Sequence, residues 1–224
     1  MDQGDTQETG WRGSREVWVS AAYDALKDQG IDAVKIQPLG VRLKLSRTSF
    51  YWFFRDRADL LQALIDMWAG RTTGPMVAAT KAYAQTEPEA MLNLISCFLS
   101  DQTFDAGFEF AMRGWALQDA GVLDRLRAAD AERLAALHAL LLQWGHDPVD
   151  ADVRARAIYL VQIGYIAMQT RETLETRIAR VPHYVEIFCG KRPSQAELAR
   201  FIAGLEPGRA PVVREMPLGN KARS

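Results

Sequence analysis

Between Ala33 and Arg57, six basic residues (Lys35, Arg42, Lys44, Arg47, Arg55 and Arg57) stand against a single acid, Asp56, in a chain whose formal net charge is −1 at pH 7. Local positive charge on a nearly neutral protein is what a surface meeting a polyanion requires. Thr48, Ser49, Tyr51 and Trp52 lie among these cations. A guanidinium can fork onto a base edge, and hydroxyls and aromatic edges can meet both phosphates and bases. The other reading of the same charge is a solvated face on an ordinary helical hairpin.

Catalytic chemistry finds no comparable constellation. His138, His146 and His183 show neither HxxxH nor HExxH spacing, so a helix-borne metal pair is not expected. His146, in a Gly-His-Asp-Pro turn, and His183, after Pro182, read as surface or capping histidines. There is no GxSxG elbow, glycine-rich phosphate loop or CxxC pair. Asp130 and Glu132, like Asp150 and Asp152, lie two apart and would point to different faces of a helix. No catalytic residue, cofactor or metal is predicted, and an enzyme ranks last among the function classes.

The cationic stretch needs elements to hold it. Ile36, Leu39 and Leu43 fall on one helical stripe. Pro38 fits that helix's first turn, where its missing N–H costs nothing. Leu45 then enters the core and Ser46 is a natural N-cap. The spacing predicts a second helix over Arg47 to Phe54, anchored by Phe50 and Phe54, with Arg47, Thr48, Ser49, Tyr51 and Trp52 outward. Ahead of it, Ser14 to Gln29 carries Trp18, Ala21, Ala22, Ala25 and Leu26 on one stripe and stops at Gly30. Behind it, Asp56 caps a helix with Leu60, Leu61, Leu64, Ile65 and Trp68 inward, broken or kinked near Gly70 and Gly74-Pro75. A head of about fifty residues holds little core of its own and needs the following helix to steady it.

Residues Arg15 to Leu64 resemble the N-terminal domain of TetR-type bacterial transcriptional regulators. The family pattern, LGVSxxxLYxxFxxKxxLL, appears here from Leu43 to Leu61 as LKLSRTSFYWFFRDRADLL. The turn position usually held by glycine is Lys44, which places a Cβ at positive φ. The position usually held by lysine is Arg57, which keeps the charge and adds a fork. The resemblance carries Gln37, Ser46, Arg47, Thr48, Ser49, Tyr51, Trp52, Phe53 and Arg57 into the family's DNA-contacting positions. Arg47 would read a guanine edge, Thr48 and Ser49 would contact bases or phosphate, and Tyr51, Trp52, Arg57, Gln37 and Lys35 would grip the backbone. Phe53 replaces a polar residue and would pack on sugar or on the head. The resemblance also implies a homodimer on a pseudo-palindromic operator and a body that holds a small-molecule effector. The expected function is a ligand-responsive DNA-binding transcriptional regulator, a repressor, in the cytoplasm. The alternative is a helical ligand-binding or protein-interaction module that no longer binds DNA, for which Lys44 and Phe53 leave room.

Across its 224 residues the chain is 48% hydrophobic and 25% charged, enough to bury a real core. Everything after Pro75 reads as helix, so the expected class is all-α: a helix-turn-helix head at 14–57 and a larger ligand-binding and dimerisation bundle at 58–205. The stretches 1–13 and 206–224 read as a disordered arm and a flexible tail. No apolar run approaches the length of a membrane span, and the opening residues lack the apolar core of a signal peptide. Cys97 and Cys189 lie in no metal or redox spacing and read as buried thiols in a reducing compartment. Pro182 is expected to divide two short helices, and Ser194 to Glu197 forms a capping box. The helix from Asp150 to Thr170, with Val153, Ala157, Val161 and Gly164, is the candidate dimer seam; its alternative is a stripe facing its own core. Phe98, Phe104, Phe108, Met112, Trp115, Tyr159, Tyr165 and Met168 are the candidate pocket lining, with plain core as the competing reading. Arg113 could meet an anionic ligand, or pair with Asp119 or Asp124.

Overall fold

A computed structural model describes residues 13–205 of the chain. The stretches 1–12 and 206–224, read above as arm and tail, lie outside the described residues. Eleven α-helices are present among the described residues and no strand. They are α1 (Arg15–Gln29), α2 (Ile36–Leu43), α3 (Arg47–Tyr51), α4 (Arg57–Arg71), α5 (Thr73–Thr80), α6 (Glu87–Cys97), α7 (Ala106–Ala116), α8 (Ala120–Gln143), α9 (Pro148–Ala167), α10 (Leu174–Cys189) and α11 (Gln195–Gly204). No helix among the described residues is long and apolar enough to cross a membrane. The chain forms two compact units, one from residues up to Pro75 with Asp105–Ala135, the other from Met76–Phe104 with the residues from Ala136 on.

The first unit is organised by helix caps that the sequence announces. The Ser14 hydroxyl accepts from Val17 N at the start of α1, and Gly30 ends it at φ 83°, a conformation open to glycine. The Asp56 carboxylate opens α4 by accepting from Asp59 N. Trp18, Ala22, Leu26, Leu39, Phe50, Phe54, Leu60, Leu64 and Trp68 bury together, and Phe108, Met112, Trp115 and Leu126 join the same core. The small head thus closes its core with α7 and the first part of α8 as well as with α4. Burying an aromatic or leucine side chain stabilises by about 1.5–3 kcal/mol, so the borrowed residues are a substantial share.

Beneath that core lies an ion network between helices far apart in sequence. Arg133 is fully buried and donates through Nη1 and Nη2 to the Glu109 carboxylate at 2.9 and 3.0 Å. It also donates to Thr73 Oγ1 at 3.0 Å and Thr72 Oγ1 at 2.9 Å. Trp68 Nε1 donates to the same carboxylate at 2.7 Å. Arg113 adds an Nε–H bond to Glu109 at 2.9 Å and reaches Asp130 at 2.6 Å. Arg113 therefore forms its ion pairs with Glu109 and Asp130, not with Asp119 or Asp124.

Four local expectations change. The chain passes through Gly70 and breaks instead at Thr72, whose hydroxyl bonds back to Trp68 O at 2.7 Å. Gly74 and Pro75 fall in the first turn of α5, where proline loses no bond. α10 runs unbroken through Pro182. Proline forfeits one helical bond there, but Val181, Val185, Phe188 and Cys189 on the same helix are buried, and that packing outweighs the loss. His146, read as a surface or capping histidine, is held between Glu87 at 2.5 Å and Asp150 at 2.6 Å. Burial works to lower its pKa, but hydrogen bonds to the two carboxylates outweigh it and raise the ring above its ordinary value.

The second unit packs α10 and α11 on α6, and α9 on α10. α11 opens with the capping box Ser194–Glu197, and Glu197 also accepts from the Thr86 hydroxyl. Cys97 and Cys189 are buried free thiols, and burial pushes Cys97 up to about 12. α9 buries Ala151, Ala155, Ile158, Tyr159, Gln162 and Ile166 against its own unit. Val149, Val153 and Leu160 stay on the outside, 74%, 59% and 63% exposed, and a Cβ on Gly164 would meet nothing within 4 Å. Ala157, Val161 and Gly164 are half-buried.

Candidate nucleic-acid interface

α2 and α3 meet in a tight turn. Lys44 ends α2 in the left-handed region, φ 55° and ψ 36°, as the sequence pattern implied for a residue at the glycine position. The turn closes with Leu45 N donating to Gly40 O at 2.9 Å. Gly40 is needed at this crossing, because a Cβ there would sit 3.0 Å from Leu45 O and 3.5 Å from the Trp18 ring. The Ser46 hydroxyl then caps α3 by accepting from Ser49 N at 3.2 Å.

α3 is shorter than expected: its regular part ends at Tyr51, and Phe53 N and Phe54 N both close onto Phe50 O. Phe50 and Phe54 anchor it, fully buried and stacked at 5.3 Å, with Trp18 edge-on to Phe50 at 5.2 Å. Ser49 is a correction: it is 6% exposed and turns inward. At 100° per residue, positions 49, 50, 53 and 54 share one face, so Ser49 follows the phenylalanines. Phe53, on the same face, is half-buried and packs on the head core. Arg47, Thr48, Tyr51 and Trp52 occupy the opposite face and are exposed. Arg47 Nη2 donates to the Tyr51 hydroxyl at 3.0 Å, and the guanidinium lies 5.7 Å from the ring centroid, so the two side chains hold one another before any partner arrives.

Around α3 the cations divide into two groups. Arg42 pairs with Asp24 at 3.1 Å and Arg55 with Asp59 at 3.7 Å. Lys35, Lys44 and Arg47 are exposed and have no carboxylate within ion-pairing distance among the described residues. Gln37 is exposed beside them on the first turn of α2. Arg57 stands apart: its Nε donates to Val34 O at 2.6 Å and its Nη2 to Ile31 O at 3.1 Å. The guanidinium fork is spent on tying the link after α1 to the start of α4.

The aromatic residues singled out for a pocket are divided between the two units. Phe108, Met112 and Trp115 belong to the core of the first unit. In the second unit Phe98, Phe104 and Tyr159 are buried, Phe98 and Phe104 pack on each other at 4.8 Å, and Met168 is 80% exposed. Only Tyr165 lines the cavity found there, a space of about 20 Å³. The remaining wall, with Arg177, Gln162 and Tyr184 as its polar members, comes from residues the sequence reading did not single out. Arg177 carries no spacing signal, and only the packing of α6, α9 and α10 brings it to a cavity.

A cationic helix-turn-helix on the outside of an all-helical chain is the arrangement by which many regulators enter a major groove. Residues 19–64 match the family described as bacterial regulatory proteins, tetR family. No curated protein matches the chain by sequence. Among solved structures, a transcriptional regulator from Rhodococcus sp. Rha1 superposes with a TM-score of 0.55 at 17% identity, covering 90% of this chain and 100% of that one. AmtR of Mycobacterium smegmatis gives 0.56 at 18% identity, over 89% and 97%. A Mesorhizobium loti protein carrying the TetR-family name gives 0.54 at 13%, over 85% and 95%. At these identities the likeness is one of fold. The head thus carries the pattern of the tetR-family DNA-binding model over residues 19–64, and the chain shares the fold of these regulators.

Proposed function

We propose that this chain is a homodimeric, ligand-responsive repressor of a pseudo-palindromic operator. The observation that carries the reading is the outer face of α3, where Arg47, Thr48, Tyr51 and Trp52 stand exposed on a helix whose opposite face is locked by Phe50 and Phe54. Arg47 reads a base edge in the major groove, and Thr48 contacts a base or phosphate. Tyr51, Trp52, Gln37 and Lys35 bear on the backbone, with Lys44 beside them. Ser46 acts as the cap of α3. Ser49, Phe53 and Arg57 support the head from within.

Dimerisation is favoured by the outer face of α9, where Val149, Val153 and Leu160 recur at helical spacing beside the open surface of Gly164. A two-fold pair would carry two heads to half-sites about one helical turn apart. An effector in the body that favours one head spacing would change operator affinity by roughly one to two orders of magnitude for a coupling of about 1–3 kcal/mol.

Selection of bound DNA from a random pool, followed by titration of the selected site, tests the reading. A palindromic consensus is expected, with Arg47→Ala costing about 1–3 kcal/mol and relaxing specificity at one position. Equal weakening on all sequences would move Arg47 to the phosphate contacts. A strictly monomeric chain indifferent to every oligonucleotide at low salt would overturn the proposal.

A further inference from the structure

The small cavity of the second unit brings together three polar groups whose bonding capacity is not used up. Arg177 is half-buried, yet no carboxylate among the described residues lies within ion-pairing distance of it. Of its five N–H donors, one meets a protein oxygen, Phe98 O at 3.3 Å, and the guanidinium otherwise lies 5.4 Å from the Tyr165 ring. Glu172 is held by Arg180 at 2.6 and 2.8 Å, and its charge and that of Asp101 both act on Arg177 without forming an ion pair with it. Gln162 lines the same cavity, is 8% exposed, and its side-chain amide makes no hydrogen bond among the described residues. Tyr184 is the third group. Arg180 Nη1 donates to the Tyr165 hydroxyl oxygen at 3.3 Å, and the Tyr165 and Tyr184 oxygens are 3.0 Å apart. When the Tyr165 hydroxyl donates its hydrogen bond to the Tyr184 oxygen, the Tyr184 O–H is left to donate elsewhere.

The Gln162 amide and the Arg177 guanidinium both keep donors that the protein does not use, and one occupant would meet both. The charge of the guest follows from the lining: Arg177 is the one cation on the wall and makes no ion pair among the described residues, so a monoanion fits. A guanidinium fork suits a planar carboxylate, with the Gln162 NH₂ and the Tyr184 hydroxyl as flanking donors. The rest of the wall, Ile95, Leu99 and Val181, is apolar and asks for a short hydrocarbon body. We propose that this cavity is the effector site and that it takes a small monocarboxylic acid, held at its carboxylate by Arg177, Gln162 and Tyr184. The proposal rests on the ligand-responsive reading above and narrows it to a chemical class. At about 20 Å³ the cavity holds one water-sized guest, so the acid must part α9 and α10 as it enters, which is how its binding would be felt beyond the site.

The test is calorimetric titration of the full chain with four acids, benzoate, phenylacetate, isovalerate and hexanoate, each beside its uncharged primary amide. At least one acid is expected to bind at least tenfold tighter than its amide. Arg177→Gln should remove that preference, Arg177→Lys should retain part of it, and Gln162→Leu should weaken the acid several-fold. Arg192→Gln, at an exposed position off the cavity wall where the side chain pairs with Glu186, guards against a general loss of structure, and circular dichroism reports folding for each variant. Binding of amides as tightly as acids, or of none of the eight, overturns the proposal, as does a preference that survives Arg177→Gln. Operator affinity is measured in parallel. Acid binding that depends on Arg177 but leaves operator affinity unchanged upholds the carboxylate site and refutes its role as effector site, so the two readings fail separately.

Discussion

Replacing Arg57 by alanine separates two roles that this position could play. In the head, its guanidinium bonds Val34 O at 2.6 Å and Ile31 O at 3.1 Å, and Val34 itself is fully buried. Hydrogen bonds from a charged donor contribute about 1.5–3 kcal/mol each. Arg57 is only half-buried, so water can take over part of the work, and about 2 kcal/mol for the pair is the expected loss. In a chain of this size that lowers Tm by roughly 4–8 °C. Arg57→Lys should recover little of it, because a single ammonium cannot span both carbonyls in the geometry of the fork. Urea unfolding followed by tryptophan fluorescence measures the loss. Operator binding over a range of salt concentrations measures the other role, since a lost phosphate contact flattens the slope of log K against log salt by about one unit. The structure predicts a less stable head and an unchanged slope once the folded fraction is allowed for. Unchanged stability with a slope flattened by about one unit would refute the reasoning and return Arg57 to the DNA backbone.

Lys44→Gly should stabilise the chain by about 1 kcal/mol, because Lys44 sits at φ 55° where glycine meets no penalty; a lower urea midpoint would contradict this. Arg133→Met strands the buried Glu109 carboxylate, and the expected cost is about 3 kcal/mol, the lower end for a broken buried pair because Trp68 and Arg113 still donate to it. The double change with Glu109→Leu should recover a good part of that loss, and strict additivity of the two would show that the pair is not coupled. His146 faces Glu87 and Asp150, with Arg154 on Asp150 and Lys191 on Glu87, and its folded pKa is raised above the ordinary 6.5. Its contribution is therefore full below pH 6.5 and is lost as pH rises through the folded value. Thermal melts across that range should show stability falling with pH in the parent and a flatter profile in His146→Gln; identical profiles would remove the histidine from the account.

Much of the head is written in local patterns. Ser14, Ser46 and Asp56 announce caps, Gly30 announces a stop, and the aromatic pair Phe50 and Phe54 announces the inward face of α3. Each depends on neighbours within about one helical turn, and that range is what a sequence displays. The same periodicity would have turned Ser49 inward, had it been followed strictly. Pro182 shows where local rules yield: a residue that disfavours helix stays in one because long-range packing of α10 outweighs a lost bond. The tertiary structure alone decided that Arg57 spends its fork on carbonyls of a preceding link, that Arg113 meets Asp130, and that Arg133 and Glu109 meet at all. It alone gathered Arg177, Gln162 and Tyr184 at one cavity and divided the aromatic pocket candidates between two units. The physical reason is range. Helical repeat and capping act between residues a few positions apart, whereas the pairing of a buried charge is fixed only when helices distant in the chain pack against one another.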